Sequence, residues 1–382
     1  MDWSSSIRLY GLLLVCYSSI AILATYGCLK YFFVDRKFGH STLLNNKFTL
    51  DKFNIDVIQY ILFFTSAFGF IYILLNSPSW PMLDAIKGYS NEALSGRISF
   101  RNDFKGSDFI KNLLAFSGSS LYFYISLSRK LIRSDGRMHL LISILLVVLI
   151  YTFNSQKGAV LNVSIGALIV FCMVKGKISI KRFSLLFVAG VSSIFILFSV
   201  VKGIPLSIFL ESGSRLIIGR IFLGNIEGLF NSLALFPDVI NENSSLVGIP
   251  SIIQYAILGH VQEPSKLLLM KYFDIDGVLN GTSGFITSYF MAEAWANYNL
   301  VGLLFAPIIV GVNFFLVDYI VYRNGKNVLT IAFYAVMYLQ FQLHGEFVGF
   351  LYFKYFLYFL VSIIPVLSIY IVFKSANVIK RS

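Results

Sequence analysis

The chain alternates long apolar runs with short polar interruptions. Nine runs are apolar enough to be read as membrane-crossing helices, at about 9–33, 57–75, 109–127, 140–153, 159–174, 183–201, 300–322, 328–343 and 347–373. A hydrocarbon core of about 30 Å takes about 20 apolar residues in helical form. The runs at 140–153, 159–174 and 328–343 are shorter, which suits tilted hairpins or partly re-entrant segments. None shows the period-two alternation of barrel strands, so helices must satisfy the backbone in lipid. The first run is too long for a signal-peptide core and lacks a small-residue cleavage site, so it is read as retained. No internal repeat or low-complexity tract divides the chain, and the pattern predicts an all-α polytopic protein with one integral membrane domain over 1–382.

Composition agrees with the pattern. Hydrophobic residues make up 57% of the chain and charged residues only 13%, against about 25% charged in soluble domains. With a mean hydropathy of +0.76, this excludes an ordinary soluble enzyme and a disordered chain. Cys16, Cys28 and Cys172 lie inside apolar runs and are too few for a disulfide framework.

The net charge of +12 is explained by topology. Lysine and arginine collect in 34–55, 129–137, 175–182 and the tail after 373, which fall on one side of a nine-span count together with Arg323 and Lys326. Positive loops stay cytoplasmic, so the amino terminus is expected outside and the carboxyl terminus inside. These charges meet anionic lipid headgroups, and no nucleic acid is needed to account for them. The turn 154–158, the segment 77–108 and the long segment 202–298 then face outward.

The segment 202–298 is where function is expected, since long connections in a short-looped protein usually carry it. It holds eight acidic residues against five basic ones, and its apolar patches suggest helices lying in the interface. Within 214–236, Arg220, Gly224, Glu227 and Asn231 recur at helical spacing as one polar stripe, with Arg215 one turn earlier. Arginines beside lipid need an anion or water, and a guanidinium fits phosphate oxygens as a fork. Arg215 and Arg220 therefore either snorkel and pair with Glu211 and Glu227, or hold a phosphate or pyrophosphate headgroup.

Other polar groups are weaker signals. Asp274 and Asp276 match a metal-holding acidic pair only in the absence of their surroundings, and a turn before Gly277 explains them more simply. The run 280–284 is expected to open a helix, by anion-accepting N–H groups or by capping alone. Glu293 then falls two to three turns into that helix, as a general base or as an interfacial acid. His260 and His344 can titrate or orient a substrate, whereas His40 and His139 carry no evident chemistry. No histidine or cysteine spacing suggests a metal site, and no nucleotide or nucleophile-elbow motif is present.

Three places give the chain a family likeness. They are the turn 153–159 followed by an apolar run and the basic segment 175–182, the arginine-bearing stretch from Ser214 to Asp238, and the run from Gly281 through Glu293 to Leu303. In these the chain resembles the Wzy-type repeat-unit polymerases of bacterial O-antigen and capsule, with Lys157 standing where many members have arginine.

The resemblance implies a GT-C-like membrane glycosyltransferase of the bacterial inner membrane, working at its outer leaflet without metal or other cofactor. Donor and acceptor would both be undecaprenyl-pyrophosphate-linked oligosaccharides, and a chain-length regulator would be an expected partner. Expelling pyrophosphate calls for cationic stabilisation, which points to Arg215, Arg220 and Lys157. The acceptor hydroxyl needs a proton acceptor, with Glu293 first and Glu227, Asp238 and His260 behind it. Trp295 and Tyr289 would stack on sugars or belong to an interfacial belt. The rival readings are an O-antigen ligase using the same donor, a sugar O-acyltransferase, and a flippase or transporter.

Overall fold

The computed structural model describes residues 4–36, 48, 53–89, 92, 96, 98–100, 103–154, 157–176, 184, 188, 192, 224–241, 244–247, 249, 251–279, 286, 288–341, 343 and 346–379. Regular structure among them is helical throughout, and the one isolated bridge is parallel, between Phe48 and Lys326. Among the described residues, four helices are long and apolar enough to cross a membrane, beginning at Ser5, Ile55, Phe290 and Lys354. The runs expected at 140–153, 159–174 and 328–343 form the shorter helices Arg137–Thr152, Lys157–Lys175 and Val328–Gln340. The run at 183–201 lies outside the described residues apart from isolated positions.

The residues gather into two compact units, one of 1–40, 211–319 and 340–356, the other of 41–210, 320–339 and 357–382. In the second unit, helix α1, Ile55–Asn76, packs on the helical stretch 108–133, which includes a π-segment at Lys111–Ser117. The contact is backbone to backbone at Gly69, where a Cβ would lie 2.5 Å from the Ala115 nitrogen. Arg129, only 8% exposed, closes the end of this pair by binding Asp56, Gln59 and both oxygens of Asp135. An arginine expected as a loop charge is thus a buried clasp between helices. Four hydrogen bonds from the guanidinium, three of them to carboxylate oxygens, meet the condition under which a buried charge is tolerated.

The first unit is built on two long helices, α2 (Ser5–Lys30) and α3 (Phe290–Asn324). Ser4 caps α2 by accepting from the Ile7 amide. Leu9, Leu12, Leu13, Ile20 and Leu23 of α2 remain exposed, the surface that lipid tails solvate. Its buried side is small or polar. A Cβ on Gly11 would lie 2.3 Å from the Phe230 ring, and Ser18 shares a hydrogen bond with Tyr289. Tyr17 donates to the Leu304 carbonyl at 2.9 Å, a Cβ on Gly311 would meet the Ile22 carbonyl at 3.0 Å, and Tyr26 donates to Asp318. These contacts advance along both helices together, so α2 and α3 run parallel. Small residues at such approaches bring helix backbones close enough for dispersion and polar contacts to hold them in lipid.

Candidate functional site

Helix α3 is broken near its start. Asn299 has φ of 51° and ψ of −137°, which separates a short leading helix, 290–298, from the apolar continuation. Asparagine tolerates positive φ better than most residues. The break folds the continuation back so closely that a Cβ on Gly302 would lie 2.0 Å from the Ala294 carbonyl oxygen. The leading helix is also held at its first residue, where the Phe290 amide donates to the Leu343 carbonyl at 2.8 Å. The helix expected to open at 280–284 therefore starts at Phe290, since the Phe290 amide is taken by Leu343 and residues 288–289 are not helical. Glu293 stands in its first turn, not two to three turns along.

Glu293 is 3% exposed. Its Oε2 accepts from the Val348 amide at 3.1 Å, while Oε1 has no hydrogen-bond partner. Val348 belongs to a short helix, α4 (Phe347–Leu351), held from below by Asn313, whose Nδ2 donates to the Phe350 carbonyl at 3.2 Å. One helical turn after Glu293, Asn297 is 8% exposed, and neither its Oδ1 nor its Nδ2 is bonded. Asn313 Oδ1 and Gln340 Oε1 are likewise buried without partners. Each such atom costs ~1–3 kcal/mol, and native structures keep few of them. Glu293 and Asn297, one turn apart on the same helix, thus carry three buried polar atoms without partners.

Beside Glu293 lies an ion cluster of three segments. Glu346, the residue before α4, gives Oε1 to Lys266 at 3.2 Å and Oε2 to Lys354 at 3.1 Å. Burial alone would raise the Glu346 carboxyl, but Lys266 and Lys354 outweigh it and hold it below the ordinary carboxylate value. Glu293 and Glu346 are in electrostatic contact as like charges. Two phenols frame the cluster: Tyr298 and Tyr352 both donate to the Ser245 carbonyl, each at 2.8 Å. Tyr298 also meets the Phe347 ring edge-on with centroids 6.0 Å apart.

The other residues expected at the site are distributed differently. Arg215 and Arg220 lie outside the described residues, as do His344 and the side chain of Lys157, which opens the helix Lys157–Lys175. Glu227 is exposed on the helix Gly224–Leu235, whereas Asn231, one turn on, is 5% exposed, so the polar stripe turns from the surface into the packing. His260 is exposed and its Nδ1 touches only the nearby Leu258 carbonyl, at 3.2 Å. Asp238 is exposed. Asp274 accepts from the Gly277 amide at 3.0 Å and so caps a short helix, Ile275–Leu279, where a turn was expected. Trp295 donates from Nε1 to the Phe236 carbonyl at 2.9 Å and packs in a cluster with Leu235, Leu268 and Leu269. Among the described residues no group of three or more His, Cys, Asp or Glu is placed to hold a metal ion.

Lys266, Lys354, Glu346 and Asn297 were not singled out by sequence pattern as one site. The clue available was that Glu346 and Glu293 are acids bordering apolar runs. Their convergence depends on the break at Asn299 and the turn after Gln340.

The chain matches no protein-family model, no curated protein and no solved structure.

Proposed function

We propose that the chain is an inner-membrane glycosyltransferase that joins lipid-linked saccharide repeat units at the outer leaflet, with Glu293 as the proton acceptor. The observation that carries this reading is the Glu293 carboxylate, fixed through one oxygen by the Val348 amide while the other oxygen is unpaired. A general base needs a held geometry and a free lone pair, and this carboxylate has both.

In the reaction, an acceptor sugar hydroxyl forms a bond to the anomeric carbon of the donor saccharide. The bond from that carbon to the diphosphate oxygen breaks, and the diphosphate leaves with the electron pair. Glu293 takes the hydroxyl proton. Asn297, on the same helix face, orients the hydroxyl with its two free polar atoms. Arg215 and Arg220 supply positive charge for the leaving group, in keeping with the resemblance to Wzy-type polymerases. Undecaprenyl-pyrophosphate oligosaccharides are donor and acceptor in this reading, and a chain-length regulator is its expected partner.

The test is the length distribution of surface polysaccharide in a host lacking the gene, complemented with wild type or with Glu293→Gln. Polymerase function predicts a ladder with wild type and single repeat units with the variant. Loss of every repeat unit in the deletion host would favour the ligase or flippase alternative.

One observation favours a carrier as the second reading. Helix α3 contains a break at Asn299 and carries Pro307 in its interior, and it buries Asn313 and Asp318 at 0% and 4% exposure. Interrupted helices with buried acids are also the form taken by ion-coupled transport sites.

A further inference from the structure

We propose that Lys266 and Lys354 form a binding site for a diphosphate group, and that the Glu346 carboxylate occupies the anion's place when no ligand is bound. The proposal deepens the glycosyl-transfer reading, because it assigns this chemistry to a part of the same site.

The geometry is that of a bridged anion. Each carboxylate oxygen of Glu346 takes one ammonium group, Oε1 from Lys266 at 3.2 Å and Oε2 from Lys354 at 3.1 Å. A carboxylate presenting two oxygens to two cations is the protein's nearest mimic of a phosphate edge, and lysine ammonium groups bind phosphate as point charges. Both lysines stand in the first turn of a helix, Lys266 in Ser265–Phe273 and Lys354 in Lys354–Ile379. The site is reachable, because the side chains of Lys266, Glu346 and Lys354 are 20%, 27% and 29% exposed. The Glu346 carboxylate stands on the residue just before α4, outside any helix.

Lys266 also acts on the neighbouring Glu293, so the two lysines together present two positive charges to an anion that takes the place of Glu346. Two partners, each taking a different oxygen and each at a helix start, fit a doubly charged ligand better than a single carboxylate.

The experiment uses the full chain purified in detergent, titrated calorimetrically with inorganic pyrophosphate and separately with farnesyl diphosphate. Lys266→Ala and Lys354→Ala should each weaken binding by about tenfold, the scale of one lost charge-assisted contact. The corresponding arginine variants should stay within about threefold of wild type. Glu346→Gln should bind about tenfold tighter, because the competing carboxylate is gone. Thermal melting of each unliganded variant reports folding, and Glu346→Asp, too short to bridge both lysines, should also bind tighter should the glutamine variant misfold. Tighter binding of the prenyl diphosphate than of pyrophosphate assigns a lipid headgroup, and equal affinity assigns the free anion. Absence of binding by either probe overturns the proposal. So does wild-type affinity in the lysine-to-alanine variants, or an affinity in Glu346→Gln no higher than wild type. None of these readouts involves glycan length, so failure here and failure of the glycosyl-transfer reading are told apart.

Discussion

The Val348 amide donates to Glu293 Oε2 at 3.1 Å and leaves Oε1 unpaired. The bond ties the leading helix of α3 to α4, so the carboxylate proposed as the base is also a link between two segments of the first unit. Removing the charge while keeping an acceptor separates these roles. Glu293→Gln keeps an oxygen for the Val348 amide and should accumulate normally, yet lose at least about a hundredfold in transfer rate, the low end of general-base contributions. Membrane abundance by immunoblot beside glycan chain length measures the two effects. A variant that disappears from the membrane would make Glu293 a packing residue.

Gly302 is the position at which the break in α3 admits no side chain. A Cβ there would lie 2.0 Å from the Ala294 carbonyl oxygen, which is backbone and cannot swing away. Gly302→Ala should lower stability by ~1–3 kcal/mol, as overpacking does. The measurement is the melting temperature in detergent, with Gly27→Ala as a control, since nothing lies within 4 Å of a Cβ at Gly27.

Much of this architecture is readable from sequence, and the reasons for the remainder are physical. The apolar runs announce helices because lipid demands about 20 apolar residues per crossing, and those beginning at Ser5, Ile55, Phe290 and Lys354 reach that length. Glu293 is legible because an acid stands out in a stretch of alanine and aromatic residues. Asp318 is not, because one carboxylate in a long apolar window barely lowers the average, and its partner Tyr26 is on another helix. Arg129 reads as a topogenic loop charge from its neighbours Lys130 and Arg133, whereas its burial depends on Asp56 in a distant helix. The Lys266–Glu346–Lys354 cluster is assembled from three separated segments, which no local spacing encodes.

The Tyr26–Asp318 pair joins the two parallel helices of the first unit. Asp318 is 4% exposed, and a carboxylate in such a place needs its donors. Tyr26→Phe and Asp318→Asn should each destabilise the protein, and the double variant should cost less than their sum, with a coupling of about 0.5–3 kcal/mol. Additive losses in denaturation of the four proteins would show that the pair does not act as a unit.

Glu346 gives the protein a defined acid response. Its carboxyl lies below the ordinary carboxylate value because Lys266 and Lys354, together, outweigh burial. A depressed carboxyl contributes stability that is present above the ordinary carboxylate range and is lost as pH falls through its lowered value. Wild type should therefore lose melting temperature on acidification more steeply than Glu346→Gln. Parallel acid limbs for the two proteins would mean that the lysines do not stabilise the charge.

The central claim is that this chain lengthens a lipid-linked glycan through the Glu293 carboxylate. It is tested most directly by incubating the purified protein in vesicles with a polyprenyl-diphosphate-linked repeat unit and separating the products by size. The account predicts a ladder of multiples with wild type and unextended repeat units with Glu293→Gln. A ladder of equal length and rate from the variant would contradict it.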